Sequence, residues 1–174
     1  PATLRRQRQM CIRDSNISGP LRWGKFKIRD FHNYGSELSV KKVISKSSNI
    51  GTARIAQEIG SSKQQNFLKS LGFFDIVPLE MVEASGGKPL LPKKWSELST
   101  MTISYGHGLS ATPLHLATAY AALGNGGYKV TPTLQIQENQ KYGKRVISEK
   151  VAKQALTMLR SCLLYTSPSP RDCQ

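Results

Sequence analysis

No apolar run in the sequence approaches the ~20 residues that cross a bilayer, so any membrane anchor or export signal is expected outside it. Cysteine is confined to Cys11, Cys162 and Cys173, which leaves the interior of the chain without a thiol nucleophile, a disulfide or a cysteine-based zinc site. His32, His107 and His115 share no metal-ligand spacing, and no metal or cofactor is expected. Acidic residues are few, 11 against 25 Lys and Arg, for a formal charge of +14. Such a balance raises the question of a polyanionic partner. Yet Lys41-Lys42, Lys93-Lys94 and Lys144-Arg145 are isolated pairs without a nucleic-acid motif, and solvated surface charge is the expectation.

The two ends have a character of their own. Met10 to Ser15 and Ser161 to Ser167 admit coding strings that are reverse complements of each other, as in the two orientations of a transposase-type sequencing adapter. Residues 1–15 and 162–174 are therefore expected to be adapter-derived, with residues 16–161 an internal part of a longer protein. Setting those ends aside removes all three cysteines and leaves 20 basic against nine acidic residues, a net charge of +11.

Within residues 16–161 no repeat or low-complexity segment occurs, and the length suits one domain or a large part of one. Phe26 and Ile28 alternate with Lys25, Lys27 and Arg29, which predicts a strand from Trp23 to Phe31 with Phe26 and Ile28 on its buried face. His32 to Gly35 reads as a turn. Val40, Val43 and Ile44 predict a short helix, and Ile50, Ala53, Ala56 and Ile59 a second one stopped by Gly60. Ser62 is the expected cap of a third, with Phe67, Leu68 and Leu71 inward and Gly72 at its end. Residues 76–98 read as loop, with at most a helical turn near Trp95. Thr112-Pro113 starts a helix that Asn125-Gly126-Gly127 ends. Val130 to Gln137 reads as a strand with Leu134 and Ile136 on one face, Tyr142-Gly143 as a turn, and Arg145 to Ile147 as a return strand. Ser148 caps a last helix carrying Val151, Ala152, Ala155, Leu156 and Leu159. The pattern is mixed α/β and rich in helix.

One junction carries residues able to do chemistry. In "SKSSNIG", Ser45 to Gly51, two serines and an asparagine either cap the second helix or present a hydroxyl and an amide to a cleft, as S-x-N elements of serine acyltransferases do. Ser39-Val40-Lys41-Lys42 matches S-x-x-K as a pattern and begins eight residues before Ser47. No K-T-G or K-S-G occurs. Asp30 and Glu37 are read as surface charge.

Taken in order, "FKIRDFHNYG", "SKSSNIGTARIAQEIG", "FLKSLGF" and "WSELSTMTISYGHGLSATPLHLATAYAALGNGGY" resemble the transpeptidase domain of class B penicillin-binding proteins, especially the division-type peptidoglycan D,D-transpeptidases. The resemblance covers residues 20–160. It implies an incomplete penicillin-binding protein/β-lactamase-like fold, with an antiparallel sheet flanked by helices. It also implies an acyl-enzyme reaction on stem peptides ending in D-Ala-D-Ala, inhibition by β-lactams, and septal partners. The parent would stand on the periplasmic side of the inner membrane, held by an N-terminal helix. Within this resemblance Ser47 is the hydroxyl of the proton network and Asn49 the amide that meets substrate, with Ser48 structural. Tyr105, Gly106 and His107 lie near the cleft, His107 in a structural role. The resemblance also places S-x-x-K well upstream of S-x-N, so Ser39-Val40-Lys41-Lys42 is rejected as the nucleophile; the true S-x-x-K serine and lysine are expected to be absent, and the isolated chain inactive. An elongation-type synthase or a penicillin-recognising sensor is the neighbouring alternative; a non-catalytic basic module for nucleic acid or anionic lipid is the one from another class.

Overall fold

The computed structural model describes residues 15–136 and 142–166. The N-terminal part holds two small antiparallel ladders. β1 (Ser15–Asn16) pairs with β4 (Glu37–Leu38), with Ser15 opposite Leu38. β2 (Leu21–Trp23) and β3 (Phe26–Ile28) form a hairpin with Trp23 opposite Phe26. The expected single strand from Trp23 to Phe31 is thus corrected to a two-residue turn at Gly24-Lys25 followed by β3. Ile28 is buried, but Phe26 is exposed, because it faces out from the end of an isolated hairpin.

Helices α1 (Val40–Ser45), α2 (Asn49–Ile59) and α3 (Ser61–Leu71) follow with almost no linker. Gly60 and Gly72 end α2 and α3 as expected. Ser62 is not the cap of α3: the helix already begins at Ser61, behind Gly60, without a capping side chain. Phe67, expected inward, is exposed. After a 3-10 turn (Val82–Gly86), α4 (Glu97–Ser104) is a full helix where only a turn near Trp95 was expected. Ser96 starts it by accepting the Ser99 N–H, and Thr100 and Met101 are its buried face. Three hydroxyl residues in a short segment, Ser99, Thr100 and Thr102, hide its periodicity.

α5 (Pro113–Gly124) has the expected Thr112 cap and proline at its first position. His115 completes a capping box and is 2% exposed. The Asn125-Gly126-Gly127 stop is enforced by packing, because a Cβ on Gly127, whose φ is +99°, would stand 1.9 Å from the Ile147 carbonyl oxygen. The expected Val130–Gln137 strand does not form among the described residues. Tyr128 pairs with Arg145 in a single bridge, after which Glu80 takes the Thr133 hydroxyl and the Leu134 N–H that a ladder would have used. Leu134 and Ile136 are exposed, and Gln137 lies outside the described residues. The return strand Arg145 to Ile147 reduces to that one bridge. Ser148 caps α6 (Glu149–Thr166), which buries Ala152 while Val151 and Leu156 stay exposed.

The main core joins both halves of this topology: Ile17, Ile28, Leu38, Val43, Ile50, Ala53 and Met101 pack together, flanked by Leu21, Tyr34, Ile55, Leu98 and Tyr105. α2 lies antiparallel to α4, since Gln57 reaches Glu97 at one end while Ile50 and Tyr105 share the core at the other. This pairing sets the ends of two helices side by side. An apolar groove of about 530 Å³, lined by Phe67, Leu71, Tyr120, Leu123 and Val151, stays open between α3, α5 and α6.

Candidate active-site turn

The Ser45 to Gly51 stretch does two jobs at once. Lys46 is the C-cap of α1; the Ser47 N–H donates to the Ile44 carbonyl at 3.1 Å, and the Ser48 N–H to the Val43 carbonyl at 3.0 Å. Those two bonds are a Schellman motif, in which the residue after the cap takes a left-handed conformation that glycine supplies in most proteins. Here that residue is Ser47, with φ of +54°, and among the described residues no other non-glycine residue has positive φ. For an L residue the left-handed conformation costs about 1–2 kcal/mol. Ser47 is exposed, and its hydroxyl makes no hydrogen bond with any described residue.

Ser48 is the opposite case. It is fully buried, caps α2 by accepting the Gly51 N–H at 3.0 Å, and donates its own hydroxyl to Asp30 Oδ2 at 2.7 Å. The expected structural role of Ser48 and the helix cap are therefore both present, but in the middle residue of the triplet. Asp30 Oδ1 also accepts the Ile50 N–H at 2.9 Å. The reading of Asp30 as surface charge is corrected: the carboxylate bridges the two backbone positions that flank Asn49. Glu37 lies exposed on β4. The signal in the sequence was the place of Asp30, two residues beyond Ile28, the buried last residue of β3.

Asn49 is half-buried and donates through Nδ2 to the Arg29 carbonyl at 3.1 Å. That bond fixes the amide orientation, since a carbonyl oxygen only accepts, and it leaves Oδ1 unengaged by the described residues. The Tyr34 hydroxyl donates to the Lys46 carbonyl at 3.0 Å, so the 29–34 segment holds the turn at Lys46, Ser48, Asn49 and Ile50. Beside it opens a cavity of about 240 Å³ that includes Asp30, His32, Tyr34 and Ile50.

Tyr105, Gly106 and His107 follow α4, at the end of that helix that meets the start of α2. Tyr105 packs on the core around Ile50, and burial pushes its phenol above the ordinary tyrosine range. Gly106 and His107 are exposed, and the His107 N–H closes the helix end on the Thr102 carbonyl. Ser39, of the rejected S-x-x-K pattern, caps α1, its Oγ accepting the Lys42 N–H at 3.4 Å. Among the described residues no cluster of His, Cys, Asp and Glu has the makings of a metal site.

The family model described as the penicillin binding protein transpeptidase domain matches residues 3–166. The chain is 32% identical to the probable peptidoglycan D,D-transpeptidase FtsI of Caulobacter vibrioides, over 82% of this chain and 24% of that protein. It is 30% identical to the peptidoglycan D,D-transpeptidase FtsI of Escherichia coli, over 88% of this chain and 26% of that protein. The chain thus spans about a quarter of the length of these relatives. A crystal structure of a peptidoglycan glycosyltransferase from Burkholderia ambifaria superposes with a TM-score of 0.76 at 29% identity, over 89% of this chain and 51% of that one.

Proposed function

Because the chain belongs to the penicillin-binding protein transpeptidase domain family, we propose that it is the S-x-N-bearing part of a serine-type peptidoglycan D,D-transpeptidase of the division type. The observation that carries this reading is Ser47. A serine held in a conformation that glycine adopts without penalty, with its hydroxyl outward and unengaged, is strain kept for use rather than for stability. Ser48, one residue on, performs the helix capping, so that role does not account for Ser47.

In the proposed reaction a serine of an S-x-x-K element attacks the D-Ala-D-Ala carbonyl, D-alanine leaves with the proton, and an acyl-enzyme forms. An amine of a neighbouring stem peptide then attacks the ester, forms the cross-link and returns the proton to the serine. Ser47 relays protons between nucleophile and leaving group, and Asn49 uses Oδ1 and its second N–H to hold the catalytic lysine or the substrate amide. Tyr105, Gly106 and His107 border the same cleft. The S-x-x-K serine and the K-T/S-G strand are supplied by sequence outside this chain, and a β-lactam acylates that serine in place of the stem peptide. The proposed setting is the periplasmic face of the inner membrane in septal wall synthesis; among the described residues no helix is long and apolar enough to cross a membrane.

The test is acylation by a fluorescent penicillin. The intact protein encoded by the gene labels, the 174-residue chain alone does not, and Ser47→Ala in the intact protein slows labelling by about a hundredfold or more. Labelling of the intact protein at equal rates with and without Ser47→Ala overturns the reading. Residues 1–15 and 162–174 are proposed as translated adapter on the strength of their complementary coding strings. Amplifying the gene across both junctions tests this, and native reads that retain both strings overturn it.

A further inference from the structure

We infer that Asp30 is a positioning residue that sets the direction of Ser47 and Asn49, an inference that rests on the transpeptidase reading of their turn. Asp30 stands 18 residues before Ser48 and outside the S-x-N triplet. Its two carboxylate oxygens are divided: Oδ2 takes the Ser48 hydroxyl at 2.7 Å, and Oδ1 takes the Ile50 N–H at 2.9 Å. The residue before Asn49 and the residue after it are thereby held by one rigid planar group, while the adjacent Arg29 carbonyl holds the Asn49 side chain itself. Bonds to an ionised acceptor are shorter and about twice as strong as neutral ones. The charge also faces the N-terminus of α2, where exposed N–H groups favour an anion.

A helix cap alone does not require this arrangement. Ser48 caps α2 as an acceptor of the Gly51 N–H, and the cap is complete with that bond. The donor side of the Ser48 hydroxyl goes to Asp30 and locks the plane from which Ser47 projects. Ser47 has positive φ and its side chain has no hydrogen bond with the described residues, so its direction depends on the backbone that Asp30 and the Schellman bonds fix. Tyr34 on the Lys46 carbonyl secures the preceding residue. The 29–34 segment is thus a second layer behind the turn, and Asp30 is the carboxylate through which it holds Ser48 and Ile50.

The experiment measures, in the intact transpeptidase that carries this chain, both the rate constant of acylation by a fluorescent penicillin and the fraction labelled at completion. The completed fraction counts folded molecules, whereas the rate constant reads how well the site is aligned. Asp30→Ala is expected to lower the rate between about ten- and a hundredfold with the completed fraction unchanged. Asp30→Asn keeps an acceptor for Ile50 but loses the charge, and its rate falls by less. A wild-type rate constant for the folded fraction of Asp30→Ala, whatever its yield, overturns the inference. If Asp30→Ala yields no folded protein, Asp30→Asn decides: slowed but complete labelling supports the inference, and a wild-type rate overturns it. Ser47→Ala, measured in parallel, separates the two readings. Full-rate acylation in Ser47→Ala removes the transpeptidase role of the turn; its loss there, with Asp30→Ala at full rate, removes only the role of Asp30.

Discussion

Gly51 and Val43 approach so closely that a Cβ on Gly51 would stand 2.6 Å from Val43 Cγ2 and 3.1 Å from the Ser48 hydroxyl. α1 and α2 therefore meet with no room for a side chain at the first turn after the serine triplet. In an exposed helix alanine is favoured over glycine by about 1 kcal/mol. Here overpacking against a valine that is 1% exposed outweighs that gain. Gly51→Ala is expected to destabilise by about 1–2 kcal/mol in urea unfolding, and Val43→Ala in the same chain is expected to relieve the clash. A neutral Gly51→Ala would show that the two helices are free to separate.

Ser47→Gly separates stability from chemistry at one position. Glycine removes about 1 kcal/mol of left-handed strain, offset in part by its greater freedom in the unfolded chain. The variant should unfold at equal or higher urea concentration than the wild-type chain. In the intact transpeptidase it should lose acylation as fully as Ser47→Ala. Retained acylation with raised stability would make the serine dispensable.

His115 ties three segments together. Its Nε2 donates to the Asp75 carbonyl at 2.9 Å, which leaves Nδ1 as the acceptor of the Thr112 N–H at 3.3 Å and fixes the neutral tautomer. Its ring lies 6.0 Å from that of Phe73. His115→Ala takes the donor from the Asp75 carbonyl and leaves a cavity where a buried ring stood, a loss expected at about 2–4 kcal/mol. His115→Gln keeps the capping-box chemistry and should lose about half as much. Urea midpoints for the pair decide it, and equal losses would show that the cap contributes nothing.

Glu80 gives a pH signature. Its carboxylate is held below the ordinary glutamate range by the Thr133 hydroxyl first and the Leu134 N–H second. A carboxylate whose folded pKa is lowered contributes stability that is present above its unfolded pKa and is lost as pH falls through the folded one. Hydrogen exchange at the Leu134 amide should therefore accelerate, beyond the intrinsic pH trend, on acidification below the ordinary glutamate range. Glu80→Gln should weaken that dependence, and an unchanged profile would mean that the clamp does not form in solution.

What the sequence determined by itself was the punctuation of the helices and the family motif. Thr112-Pro113, Gly60 and Gly72 act through bonds to residues at most five positions away, so their effect is visible in a short window. The S-x-N triplet was legible for the same reason, and so was the order of segments that resembles the transpeptidase family. Which serine caps and which projects was a tertiary decision. It took Asp30, brought 18 residues along the chain by the β2–β3 hairpin, to engage Ser48 and leave Ser47 free. Glu80 likewise drew Thr133 and Leu134 out of an expected strand from more than fifty residues away. A hydrogen bond of that span depends on how distant segments are brought together, and no local period or propensity encodes the distance between its partners.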